Sequence, residues 1–205
     1  MMIKDFGARV EKAWEGLRPM TKKMLVGAIE ANTANSNAAA KQKFSYDAHA
    51  DWELSRLLTA LDEQSNDAEI RKDAAKSREI KQLAETCTSV LQAQTESAEV
   101  FVQLAERALK QNDYRKIDVL ADILSHRFSV GEMCEIVRQT TNPAIRALGF
   151  EALALVPVSA LMQMVDDPVY FEIVRCVLEQ QAFEYESEEA RRVLEQLDFE
   201  EVSGE

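Results

Sequence analysis

Apolar residues recur along most of the chain at the three-and-four spacing of amphipathic helices. Ile3, Phe6, Val10, Ala13, Trp14 and Leu17 form one stripe, which Arg18-Pro19 ends. Met20, Met24, Ala28 and Ala31 mark the face of a second helix. Residues 31–43 carry no large apolar side chain. Alanine there favours helix while asparagine and serine favour turns, so any mobile segment is expected in this stretch. Ala50, Leu54, Leu57 and Leu61 predict a helix over Phe44–Asp62, followed by a turn and cap at Ser65, Asn66 and Asp67. No Gly or Pro occurs between Ala28 and Val130, which argues for helix throughout. A heptad register through Ile80, Cys87, Gln94, Phe101 and Ala108 predicts one long helix from about Asp67 to Lys110, with a break near Thr95-Glu96 as the alternative. Such a helix offers a seam for a homodimer through 67–110. Packing against Phe44–Asp62 competes with that use, since Gln94 and several alanines make the seam weak.

Beyond residue 112 the predicted elements shorten. Asn112-Asp113 caps a helix bearing Ile117, Leu120, Ala121 and Leu124. Ser129 and Glu132 have capping-box spacing and open a short helix with Val130, Met133, Cys134 and Val137. Asn142-Pro143 opens the next, with Ile145, Leu148, Ala152 and Leu155. A short element then begins near Pro157, with Val158, Leu161, Met162 and Val165, and Asp167-Pro168 opens another bearing Ile173, Val174, Val177 and Leu178. Asn and Asp suit the cap, and Pro suits the first helical position because its missing N–H would have no partner there. Ser187 caps a polar terminal helix with Ala190, Val193, Leu194 and Leu197. The pattern is all-α: a long-helix region over 1–112 and a helical-repeat region over 113–205, separate or continuous as one domain.

The unit of short helix, Asx-Pro turn and second helix recurs at Asn142-Pro143 and Asp167-Pro168. It resembles a HEAT-type helical repeat, an α-solenoid module. The matching residues are Asn142, Pro143, Ile145, Arg146, Ala147, Leu148, Ala152 and Leu153, then Asp167, Pro168, Val169, Ile173, Val174, Val177 and Leu178. The second unit departs from the pattern at Phe171 and Glu172, where the family has Arg and a small residue, although Arg175 follows. The repeat offset is also shorter than the family's. The resemblance implies stacked helical hairpins closed by a polar terminal helix. An ordinary helical bundle would select similar residues.

Composition narrows the partners. The formal charge is −12 over 205 residues, so nucleic acid is disfavoured as a general partner. Basic residues gather in the first 44 positions, whereas from Glu184 onward nine acids face only Arg191 and Arg192. This asymmetry suits either a solvated acidic last helix or an electrostatic contact between a basic N-terminus and an acidic C-terminus, within one chain or between two. Cys87, Cys134 and Cys176 are widely spaced among apolar neighbours and are expected to be buried hydrophobes in a reducing compartment. The start has no apolar signal region, and the most apolar window, Ala144–Val165, contains Arg146, Glu151 and Pro157. A cytoplasmic protein without membrane association is therefore expected.

Catalytic signatures are sparse. No phosphate-binding Gly loop, nucleophile elbow, zincin motif or EF-hand occurs, and there are two histidines. Asp118, Asp122 and His126, spaced by four, are the metal-ligand candidates, but a histidine at a helix end is favourable to the helix dipole in any case. Asp47, His49, Asp51 and Glu53 crowd a helix start, where acids need no catalytic reason. No cofactor is implied. The leading expectation is a non-enzymatic interaction or adaptor protein binding a protein or peptide through Tyr170, Phe171, Arg175, Phe183 and Tyr185. The alternatives are nucleic-acid binding through the basic N-terminal region and Arg71–Lys81, and a metal-dependent enzyme at Asp118/Asp122/His126.

Overall fold

The computed structural model describes residues 3–33 and 46–203 and is helical, with no strand among them. Residues 34–45 lie outside the described residues, and with them most of the Asn/Ala-rich stretch and the expected helix start at Phe44. The chain divides into two compact units, Met1–Thr95 and Glu96–Glu205.

The first unit opens with a 3₁₀ turn, Ile3–Phe6. It continues with α1 (Ala8–Glu15), α2 (Pro19–Thr33), α3 (Ala48–Ser65), α4 (Ala68–Lys72) and α5 (Ala74–Gln94). The single stripe expected over Ile3–Leu17 is broken at Gly7, whose φ of 102° only glycine adopts at little cost. A Cβ at Gly7 would also lie 2.9 Å from Gln64 Oε1, so the chain passes close against the end of α3. Phe6, Val10 and Leu17 from that stripe are nevertheless all buried. Leu54, Leu57 and Leu61 of α3 and Ile80, Cys87 and Leu91 of α5 are fully buried where the two helices pack. On α2 the expected face is rotated: Thr21, Met24 and Leu25 are buried, whereas Met20 is 54% exposed. On this face the Thr21 hydroxyl donates to the buried Glu53.

The single helix expected over 67–110 is three helices, and one of the two breaks falls at Thr95-Glu96, where the alternative placed it. Asp73 leaves the helical conformation at φ −95°, ψ 99°, ends α4, and accepts from Ala75 N–H (3.0 Å) and Lys76 N–H (3.1 Å) to begin α5. Thr95 and Ser97 are extended, and α6 (Ala98–Lys110) follows in the second unit. Neither break contains Gly or Pro: the Asp73 side chain caps α5, and at the start of α6 the Ala98 N–H is satisfied by Glu132 at 2.7 Å. Of the heptad residues, Ile80, Cys87, Phe101 and Ala108 are buried and Gln94 is exposed.

The second unit continues with α7 (Tyr114–Arg127), α8 (Val130–Gln139) and α9 (Pro143–Ala154). Next come α10 (Val158–Leu161) with a 3₁₀ turn Met162–Met164, then α11 (Phe171–Phe183) and α12 (Glu188–Ser203). Asp113, Ser129, Asn142 and Ser187 each accept a backbone N–H at a helix start. Helix α6 packs on α7 and α8, α7 on α9, α8 on α9, α9 on α11, and α11 on α12. The two Asx-Pro turns share their contacts: Asn142 accepts from Ala144 N–H at 3.0 Å and Asp167 from Val169 N–H at 2.9 Å. They then diverge, since α9 runs on from Pro143 whereas α11 begins only at Phe171. No single helix among the described residues is long and apolar enough to cross a membrane. The pair Pro143–Ala154 and Val158–Met164 has the length and composition only when joined across a 117° bend. Ile145, Leu153, Val158 and Leu161 of that pair are buried in the unit's core.

Candidate interaction surface

The acids at the start of α3 have a partner the sequence conceals. Glu53, 6% exposed, accepts from the Arg18 backbone N–H and from Arg18 Nε, both at 3.0 Å, and from the Thr21 hydroxyl. Arg18 forks its other nitrogens onto Asp47 at 3.0 and 2.6 Å. This hydrogen bond to Arg18 holds the Asp47 carboxyl far below the ordinary range, and the bond to Asp47 in turn raises Arg18. Tyr46 donates to Asp51, and burial together with that bond pushes its phenol up. Every oxygen of Glu53 and Asp47 is thus engaged by Arg18, Thr21 or the α3 N-terminus. The cluster fastens the α1–α2 turn to α3. His49, named with these acids, is exposed outside it.

A second clamp holds α8 to the turn before α11. Glu135 accepts from Arg138 Nε at 2.6 Å and from the Tyr170 hydroxyl at 3.1 Å. The hydrogen bonds from Arg138, then those from Gln139 and Tyr170, outweigh desolvation and hold its carboxyl at about 2, against an ordinary 4.5. A depressed folded-state value means that the contribution is complete above the ordinary carboxylate range and lost as pH falls toward about 2. Glu135→Gln should therefore lower stability most at neutral pH and converge on the parent as pH falls toward about 2, which flattens the acid limb measured by urea unfolding at stepped pH. An unchanged acid limb would remove the clamp from the account of acid stability.

The five residues expected to form a binding surface separate into two groups. Tyr170 and Phe171 are half-buried, and Arg175 is committed to Asp198 (2.8 Å) and Glu179 (3.5 Å), tying α11 to α12. Phe183 and Tyr185 stand open at 78% and 49% exposure. Leu155, assigned by spacing to the core face of α9, is 68% exposed because it falls one residue past the helix end. Only its position relative to that end could have revealed this, since the period alone places it inward. Cys176 is also exposed, against expectation, because Ile173, Val174 and Val177 occupy the inward arc of α11. Cys87 and Cys134 are buried, and burial pushes the Cys134 thiol up to about 11.

The remaining candidates do not assemble. His126 Nδ1 lies 2.8 Å from the Asp122 carbonyl oxygen, and both side chains are well exposed. With Asp118 they form no metal-holding group; among the described residues no cluster of three or more His, Cys, Asp or Glu side chains is placed to do so. An open cleft of about 800 Å³ in the first unit is lined by Asp5, Gln64, Asp67, Asp73 and Lys76 among others. Asp67 and Asp73 in it are occupied as helix caps. Of the basic run Arg71–Lys81, Arg71 bonds Asn66, Lys72 pairs with Glu69 and Lys76 lies near Asp73, so local acceptors already engage part of its charge. Comparison with protein-family models, with characterised proteins and with solved structures finds no match to this chain.

Proposed function

We propose that this chain is a non-enzymatic interaction protein whose second unit stacks HEAT-like helical hairpins to present a surface to a protein or peptide. The observation that supports it is the order of packing. The first helix of one hairpin, α6, lies on the first of the next, α8; the second, α7, lies on the second, α9; and α9 lies on α11. Stacked repeats pack in this order, each contacting its neighbours alone, with a polar terminal element closing the row. Helix α12, with Ala190 buried and Glu188, Glu189, Glu195 and Asp198 exposed, suits that closing role. Polar clusters that are fully engaged as structural fasteners also fit a binding rather than a catalytic role.

The test is affinity capture from cells of the source organism with the full chain, with and without nuclease. Retention of a defined protein that is indifferent to nuclease is the expected result. Capture that vanishes with nuclease and falls steeply with salt would replace this reading with nucleic-acid binding.

A further inference from the structure

One corner of the second unit is rigidly built yet presents apolar side chains to solvent. Gln181, buried near the end of α11, donates through Nε2 to the carbonyl oxygens of Ala154 (2.9 Å) and Val156 (2.7 Å). These bonds hold the α9–α10 turn, and so Leu155, beside the α11–α12 turn. That second turn is itself fixed: Ser187 N–H donates to the Gln181 carbonyl at 3.0 Å, and Arg191 Nε donates to the Ala182 carbonyl at 3.2 Å. Glu186 takes φ 54°, a left-handed conformation unfavourable for a residue with a side chain. The corner thus holds Leu155, Phe183 and Tyr185 outward on backbone that local bonds constrain, and order before binding lowers the entropic cost of docking.

Charge selects the occupant. Glu184, Glu186, Glu188 and Glu189, in the same stretch of chain as Phe183 and Tyr185, are all exposed; Arg191 is paired with Glu188 at 2.8 Å, and Arg192 beside it is exposed. A second copy docking by this same face would bring the same acids to the contact, and a nucleic-acid backbone or an anionic lipid surface would be repelled in the same way. A basic segment satisfies both the apolar centre and the acidic rim. We propose that the Leu155–Phe183–Tyr185 corner docks a basic peptide segment of a partner protein, its apolar side chains on the aromatic residues and its cations against Glu184, Glu186 and Glu189. This deepens the interaction reading above and rests on it.

The experiment titrates the isotope-labelled full chain with a designed amphipathic peptide of lysine and leucine, alongside a glutamate–leucine peptide and a lysine–serine peptide. Expected are amide shifts at Leu155 and over 183–189 with the first peptide only. Phe183→Ala/Tyr185→Ala should weaken binding about tenfold or more, as loss of aromatic anchors does, and Glu184→Gln/Glu186→Gln/Glu189→Gln should weaken it and reduce its salt dependence. The substituted side chains are exposed, so an unchanged thermal melt verifies folding. Shifts located elsewhere, equal binding of the glutamate–leucine peptide, or undiminished binding by the double alanine variant would overturn the proposal. A cellular partner retained by the double variant would overturn this corner while leaving the interaction reading intact, whereas a full chain that captures no protein would overturn that reading itself.

Discussion

Gly149→Ala is expected to destabilise the protein by about 1–2 kcal/mol, although the same change in an exposed helix would stabilise it by about 1 kcal/mol. Gly149 is buried in the middle of α9, where that helix meets α8. A Cβ there would lie 2.5 Å from Val137 Cγ2, far inside contact distance, and 3.8 Å from Ile136 Cγ2. Val137 is fully buried, and a β-branched side chain in a helix has essentially one rotamer, so it cannot turn away. The added methyl must therefore push α8 and α9 apart, at the usual cost of overpacking, about 1–3 kcal/mol. Gly149→Leu should cost more than Gly149→Ala. The decisive control is Val137→Ala: in a double-mutant cycle it should recover much of the loss caused by Gly149→Ala, because it removes the atom in the way. Chemical denaturation of the four proteins measures this. If Gly149→Ala were more stable than the parent, the α8–α9 contact would not be as close as described.

The second large effect is expected at Glu53→Ala, about 3 kcal/mol. Glu53 is the acceptor for the Thr21 hydroxyl and for the Arg18 backbone N–H, and Thr21 is 1% exposed. Removing the carboxylate leaves those donors buried without an acceptor, at roughly 1–3 kcal/mol for each such group. Glu53→Gln, which keeps an oxygen in place, should lose clearly less. Asp47→Asn breaks only the exposed arm of the Arg18 fork and should lose least, since exposed ion pairs are weak. The order Ala, then Gln, then Asn at position 47 is the signature of a buried acceptor. An equal loss from Glu53→Ala and Asp47→Asn would mean that the cluster acts through surface charge instead.

These effects mark how far the chain can be read from its residues. The helix starts were legible because a cap is a local event: Asp113, Ser129, Asn142 and Ser187 all accept the backbone N–H their position predicts. Ser129-x-x-Glu132 shows where local reading stops. Ser129 caps α8 as expected, but Glu132 reaches across to accept from the Ala98 N–H at 2.7 Å and serves the start of α6 instead. The interaction residues divide in the same way. Phe183 and Tyr185 are exposed, while Tyr170 is drawn inward by its bond to Glu135, a partner 35 positions away.

By itself the sequence determined the all-helical class and most helix starts, since periodicity and capping depend on residues within a turn or two of each other. It also carried the acidic excess that shapes what the surface can bind. Only the tertiary structure decided that the chain breaks at Asp73 as well as at the alternative near Thr95-Glu96, and that Arg18 joins Asp47 to Glu53. It alone decided that Gly149 sits under Val137 and that Leu155 and Cys176 face solvent. The reason is common to all of them: burial and pairing depend on which distant element lies against a residue, and spacing along one helix is silent about that.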